Sequence, residues 1–408
     1  MVTSLNPQPA VEGALAERTA VRRPVRVVAT ADNHLSRGHA RMSPQRLEKR
    51  RWWLRQGFRR AVDYALESRA DLFLQAGDLF DSPQPRNVDR SFVANELRRL
   101  QAARIPAFGI AGTHDSPKMQ TVEGGWTPQR IYQQFDALHV FSEFQDPTAM
   151  LLDVDGTSVA IGGISVDPLL GVGDDPLAGV GFPRQADVGI LLLHYGVEGA
   201  AYANASEPVV ARSSISALEG VDLLVAGHYH EFHQFSVGPV KVVVPGATER
   251  MIYGAERDAS FAYIELLPGR ADRVQKVVVD GQGYRQVTLR TTELDLAQPF
   301  ESALGRLEPA LDAETVVKVR LEGPVTREQY RALRVRELLR AGISRCFHFE
   351  VDTSGLTLAE DRPNGVGKGL RLSQKQELQL AAQQLMADEP EHAPLLRQAV
   401  QELMRAYD

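Results

Sequence analysis

The stretch Leu72–Asp81, LFLQAGDLFD, decides the fold: an apolar run ends on Gly77 and passes at once to two carboxylates, Asp78 and Asp81. An apolar run this short, closed by glycine, reads as a buried strand. The same arrangement recurs along the chain. Asp32-Asn33-His34 follows the apolar run Val25–Thr30, His194 follows Gly189–Leu193, and Gly227-His228-Tyr229-His230 follows Leu223–Ala226. Gly112-Thr113-His114-Asp115 follows a shorter stretch, Ala107–Ala111. In open α/β sheets, ligands bind in the crevice beyond the carboxyl ends of the strands. One polar residue after one strand is ordinary, but five strand ends carrying Asp and His spell a site for two metal ions.

The chain has 408 residues, enough for more than one domain and a full hydrophobic core. Its net charge of −6 argues against a protein coated in nucleic acid, while leaving room for a local basic patch. Cys346 is the single cysteine, so a disulfide within the chain is excluded and a reducing cytoplasm is the expected compartment. Residues 1–24 lack the continuous apolar core of a signal peptide, and no run approaches the roughly 18 apolar residues of a membrane span.

The first 24 residues read as a polar tail. From Val25 to residue 285 strands and helices alternate, which predicts an α/β domain: a two-layered mixed β-sheet core flanked by helices. Helices are expected at 44–68, 86–103 and 127–137, with Trp52, Trp53 and Phe58 as core anchors of the first. Val240–Val244, Phe261–Leu267 and Val274–Val279 read as further strands. A small appended α/β cap is expected at 286–359. There Val317, Val319 and Leu321 alternate with Lys318 and Arg320, Thr326 and Gln329 form a capping box, Gly342 ends the helix, and Phe347, Phe349 and Val351 begin a second strand. Residues 360–408 read as a linker and C-terminal helices. Gly367-Lys368 is no P-loop, because Arg362 and Gly369 stand where Gly and Ser or Thr belong. The stripe Leu396, Val400, Leu403 and Tyr407 fits docking to a partner as well as packing on its own domain.

Asp32 and His34 point the same way if the chain stays extended there, and so do His228 and His230. Mixed carboxylate and imidazole ligands suit Mn, Fe or Zn better than Ca or Mg. Two such ions can clamp a phosphate and ready a water for in-line attack, with one carboxylate between them, for which Asp78 is the candidate.

These clusters resemble the signature of the calcineurin-like metallophosphoesterases, D-x-H, G-D-x-x-D, G-N-H-D, H, G-H-x-H. The resemblance implies that Asp32, His34, Asp78 and His230 hold one ion, and that Asp78, His194 and His228 hold the second with residue 113 as a further ligand. His114 would be the catalytic histidine that stabilises the transition state or protonates the leaving oxygen. Thr113 departs from the family's Asn, and its shorter hydroxyl predicts a weakened second site. Asp81 fits a partner of a ligand, a group on the substrate side, or a simple cap.

Within that superfamily the chain is most similar to SbcD-type nucleases, the exonuclease subunits of double-strand-break repair, over residues 25–408. Gly77–Asp81 followed by Ser82-Pro83, His114-Asp115-Ser116, and Pro245–Arg250 carry that likeness. It implies DNA as substrate, an SbcC-like ABC-type ATPase bound through the C-terminal helices, a DNA-facing role for the cap, and by analogy a homodimer. Independently, residues 37–60 hold eight Arg and one Lys against one Glu, right after His34. Arg50, Arg51 and Arg55 are the candidate phosphate contacts of that run. Three readings result: a metal-dependent DNA nuclease of exo or endo type, a phosphoesterase acting on a small nucleotide or metabolite, and a partly decayed DNA-binding scaffold whose only support is Thr113.

Overall fold

The computed structural model describes residues 23–39, 41–117, 126–142, 144, 147–182, 186–200, 207–251 and 258–359, together with 370–371, 382–383, 385–386, 396–397 and 399–400. It contains two six-stranded mixed sheets. In the first, the strands Val25–Thr30, Leu72–Ala76, Ala107–Ile110 and His139–Phe141 run parallel. An antiparallel hairpin, Ala259–Leu267 with Arg270–Val279, extends the edge beside the first of them. In the second, Thr157–Ile164, Val188–Leu193, Leu223–Ala226 and Val240–Val244 run parallel. Met150–Val154 and His233–Val237 add antiparallel edges.

Side-chain alternation explains why the sheets face each other. Val25, Val27, Ala29, Leu72 and Leu74 share one buried cluster with Val159, Ile161, Ile190, Leu192, Leu223 and Val225. Burying each such side chain contributes about 1.5–3 kcal/mol. The alternate residues of the second sheet, among them Leu191, Leu193, Leu224 and Ala226, pack in a separate cluster with Ile215 and Leu218. Helices cover the outer face of the first sheet. Phe58 and Phe73 meet edge to face with centroids 6.0 Å apart. The helix Pro44–Glu67 opens after Ser43, whose carbonyl accepts from Leu47 N, with proline at the first helical position.

A second compact unit comprises Gln282 onward together with the described parts of 40–48 and 250–257. Its strands Tyr284–Arg290, Val316–Val325 and His348–Leu358 are parallel, and Leu370–Arg371 adds an antiparallel edge. The limit drawn at residue 285 falls inside the first of these strands. Thr326 and Gln329 form the capping box. The helix it starts is shorter than expected. It stops at Ala332, and a second helix runs Val335–Ile343 after Arg334, which adopts φ +46°. Gly342 therefore does not end the first helix. It lies within the second, where an added Cβ would stand 2.2 Å from the Phe349 ring.

Two further expectations change. The helix expected at 127–137 is confined to Arg130–Gln133. Trp52 is exposed, whereas Phe58 is the buried anchor of its helix. Among the described residues, no helix is long and apolar enough to cross a membrane. The P-loop-like residues 361–369, and Leu403 and Tyr407 of the C-terminal stripe, lie outside the described residues.

Candidate metal centre

All five clusters come together at the carboxyl ends of the parallel strands. The loops after the first two strands run side by side, with Asp32 N donating to Gly77 O at 3.1 Å and His34 N to Asp78 O at 3.0 Å. Asp32 and His34 leave the extended conformation expected of them, with φ of +49° and +45°, and Asp78 is also left-handed at φ +52°. His228 does the same at φ +93°. Each such non-glycine residue costs of order 1–2 kcal/mol, which the surrounding packing must supply. The side chains of Asp32 and His34 nonetheless converge, with His34 Nε2 3.9 Å from Asp32 Oδ1.

Two of the resulting groups of ligand atoms share Asp32, Asp32 with His34 and His230 and Asp32 with Asp78 and His194, and His34 also groups with Asp81 and His114. Asp78 Oδ2 lies between two imidazoles, 3.6 Å from His34 Nε2 and 3.3 Å from His194 Nε2. The residues fit a divalent cation on two counts. His34 Nε2 and His230 Nε2 face each other at 3.2 Å, and two imidazoles sharing one ion at about 2.1 Å stand roughly 3.0–3.4 Å apart. His194 Nε2 is buried without a hydrogen bond, while its Nδ1 is tied to the Ala76 carbonyl at 2.8 Å. That tie turns the Nε2 lone pair inward.

The buried carboxylates and imidazoles of this cluster shift one another strongly. Burial pushes the Asp32 carboxyl up to about 8; His194 opposes the rise and ionised Asp78 adds to it. Burial acts the same way on Asp78, but His194, His34 and His114 outweigh it and hold that carboxyl well below the usual range. Burial disfavours charge on His194, yet Asp78 and Asp32 more than restore it and push the ring up to about 10. His230 is held down to about 3 by burial, His34 and Arg37, which leaves a neutral imidazole able to ligate.

Close approach makes three glycines obligatory. A Cβ on Gly77 would stand 2.3 Å from His194 Nδ1, one on Gly112 2.3 Å from Asp78 Oδ1, and one on Gly227 2.0 Å from the Ala76 carbonyl. Asp115 is fully buried and accepts from Gly112 N at 2.7 Å and Leu79 N at 2.8 Å, tying the third loop to the second. His114 N donates to Asp78 Oδ1 at 2.7 Å, while its ring is exposed and 3.7 Å from Asp81 Oδ1. Asp81 accepts from Arg37 Nη1 at 3.1 Å and pairs with His34 Nδ1 at 2.9 Å. Of the three roles open to it, partner of a ligand is the one with contacts.

Other expectations fare differently. Thr113 is exposed on its loop. His228 stands outside both tight groups; its ring centroid is 5.5 Å from that of His194, and its backbone N–H donates to Asp32 Oδ2 at 3.1 Å. Arg50 is buried and ion-paired with Glu249 at 3.4 Å. Arg55 is bound to buried Asp89 at 2.7 Å, and Arg51 donates to the Arg37 carbonyl at 3.2 Å. Glu207, Arg37, Asn33 and Gln75 escaped the sequence reading. Asn33 is buried, donating to Thr248 Oγ1 at 3.0 Å, and Gln75 donates to the Gly77 carbonyl at 2.8 Å. Asn33, inside the first motif, and Arg37, the first of the basic run, carried some signal; Glu207 and Gln75 carried none.

Residues 25–232 match the family described as calcineurin-like phosphoesterase. Three curated proteins called DNA double-strand break repair protein Mre11 are similar to the chain. That of Sulfurisphaera tokodaii is 27% identical over 266 residues, covering 64% of this chain and 66% of its own length. That of Methanosarcina mazei is 26% identical over 307 residues, covering 74% of this chain and 46% of its own. That of Sulfolobus acidocaldarius is 24% identical over 300 residues, covering 72% of this chain and 75% of its own. The chain thus spans just under two thirds of the first relative and less than half of the second.

Proposed function

This chain belongs to the calcineurin-like phosphoesterase family, and on that premise we propose that it is a metal-dependent nuclease hydrolysing DNA phosphodiester bonds within a double-strand-break repair assembly. The observation that carries the reading is the pair of ligand groups meeting at Asp32, with Asp78 Oδ2 between His34 and His194. The relatives named Mre11 support DNA repair as the setting.

Asp32, His34, Asp78 and His230 would hold one ion, and Asp78, His194 and His228 the second. Mn²⁺ suits the mixed donors well, with Fe or Zn as alternatives. Such ions would polarise the phosphate and ready a water for in-line attack. The chain's own groups do the rest. His114, exposed beside Asp81, protonates the leaving oxygen. Arg37, fixed by Asp81, offers its cation to a non-bridging phosphate oxygen, beside the candidates Arg50, Arg51 and Arg55. The unit at 286–359 would face DNA, and 360–408 would engage an SbcC-like ATPase in the cytoplasm, with a homodimer as the natural assembly.

The test is cleavage of end-labelled single- and double-stranded DNA with Mn²⁺, Mg²⁺ or EDTA, beside His114→Ala. Metal-dependent cleavage lost in the variant is expected. Hydrolysis of bis-p-nitrophenyl phosphate with no cleavage of any DNA, even with the ATPase present, would overturn the choice of substrate.

A further inference from the structure

In two histidines of the centre the ring nitrogen facing away from the ligand cluster is tied down at Nδ1, His34 by Asp81 at 2.9 Å and His194 by the Ala76 carbonyl at 2.8 Å. Both therefore present Nε2. His228 is reversed, because its Nε2 lies 2.9 Å from Glu207 Oε2. Glu207 belongs to none of the five motifs. It precedes the short strand Val209–Val210, which pairs with Gly196–Val197 just beyond His194. Both side chains of the pair are 24% exposed, so the contact is largely sheltered from water. Gly196 makes room for the neighbouring Tyr229, since a Cβ there would stand 2.6 Å from its hydroxyl.

We propose that Glu207 is a positioning residue of the second metal site, taking the Nε2–H of His228 and so fixing the tautomer whose lone pair is on Nδ1. This rests on the metal-binding part of the function proposed above and not on DNA as substrate. The carboxylate does two things that a carbonyl acceptor does less well. It raises the basicity of the imidazole, and it adds a negative charge behind the ligand. That charge matters at this site. Asp78 is the only carboxylate among Asp78, His194, His228 and Thr113, whereas the first set has both Asp32 and Asp78. Glu207 thus offsets the deficit in charge, and in donor strength at Thr113, from one layer further out.

The test is Mn²⁺ titration calorimetry on the full chain after EDTA treatment, with no DNA present. The wild type is expected to bind two ions. Glu207→Ala should weaken one of them about 10–100-fold and leave the other unchanged. Glu207→Gln should fall between, because its amide oxygen still accepts from Nε2–H without the charge. In a His228→Ala background Glu207→Ala should cost nothing further, which a general structural role would not produce. Thermal unfolding in EDTA checks that each variant folds, and Glu207→Gln carries the test if Glu207→Ala does not. Unchanged two-site binding in both variants overturns the proposal. So does a loss that persists without His228, which would make Glu207 a ligand itself. A wild type that binds no Mn²⁺ overturns the metal reading as well, and binding without DNA cleavage overturns only the choice of substrate.

Discussion

Asp81 stands 2.9 Å from Nδ1 of His34, and this contact aims the opposite ring nitrogen at Asp32, Asp78 and His230. A carboxylate behind a ligating histidine fixes both its tautomer and its orientation. Asp81→Ala is therefore expected to weaken one Mn²⁺ ion about 10–100-fold, on the first site rather than the one Glu207 serves. Calorimetry of Asp81→Ala and Glu207→Ala, singly and together, checks this; a double variant that loses no more than either single one would refute two separate sites.

Arg37 shares that carboxylate, with Nη1 3.1 Å away. A charge-assisted hydrogen bond contributes about 1.5–3 kcal/mol. Arg37→Ala should thus lower kcat/KM for bis-p-nitrophenyl phosphate roughly 10–100-fold with Mn²⁺ affinity unchanged, and Arg37→Lys should recover part of it. Equal kinetics in all three proteins would remove Arg37 from substrate binding.

Arg50 and Glu249 are both almost fully buried, at 4% and 1% exposure. Removing one partner breaks a buried ion pair, so Arg50→Ala should cost about 3–5 kcal/mol in urea unfolding. Replacing the pair by Arg50→Met with Glu249→Leu should cost less than either change alone. An Arg50→Ala protein of native stability that binds DNA weakly would restore the surface role.

Gly112→Ala should abolish tight metal binding, because its Cβ would stand 2.3 Å from Asp78 Oδ1 and 2.4 Å from Asp78 N. Such overpacking costs about 1–3 kcal/mol, and here it displaces the central carboxylate. Two-site Mn²⁺ binding by this variant would contradict the geometry.

Asp71 governs an acid limb of stability. Its burial opposes the charge, but hydrogen bonds from Arg23 and Arg26 outweigh that and lower the carboxyl below its ordinary value. The folded value lies under the unfolded one of about 3.9, so the stabilisation is present above that pH and is lost as pH falls through the folded value. The urea midpoint of wild type should exceed that of Asp71→Asn at pH 7, and the gap should narrow as pH falls below the ordinary carboxylate range. A gap independent of pH would exclude this linkage.

Local pattern made much of this legible in advance. Strands such as Leu72–Ala76 and Leu223–Ala226 are short apolar runs closed by glycine, and they fall where the pattern put them. The helix limits Pro44 and Glu67 follow from Ser43-Pro44 and from the end of the apolar period. Failures came where a local signal competes with packing. Arg334 breaks one expected helix into two, and Trp52 is an aromatic residue on an exposed face. A charge count over residues 37–60 cannot tell a solvated arginine from one that neutralises Glu249.

The sequence by itself determined the ligand types, their order and their place at strand ends, because each motif is contiguous and strand ends are set by local hydrophobic pattern. Tertiary structure alone decided which atoms meet. Asp81 behind His34, Glu207 behind His228, and Arg37 rather than Arg50 beside the centre join segments up to 47 residues apart in the first pair, and 21 in the second. Such contacts depend on how the loops after neighbouring strands lie beside one another, and no single segment encodes that geometry.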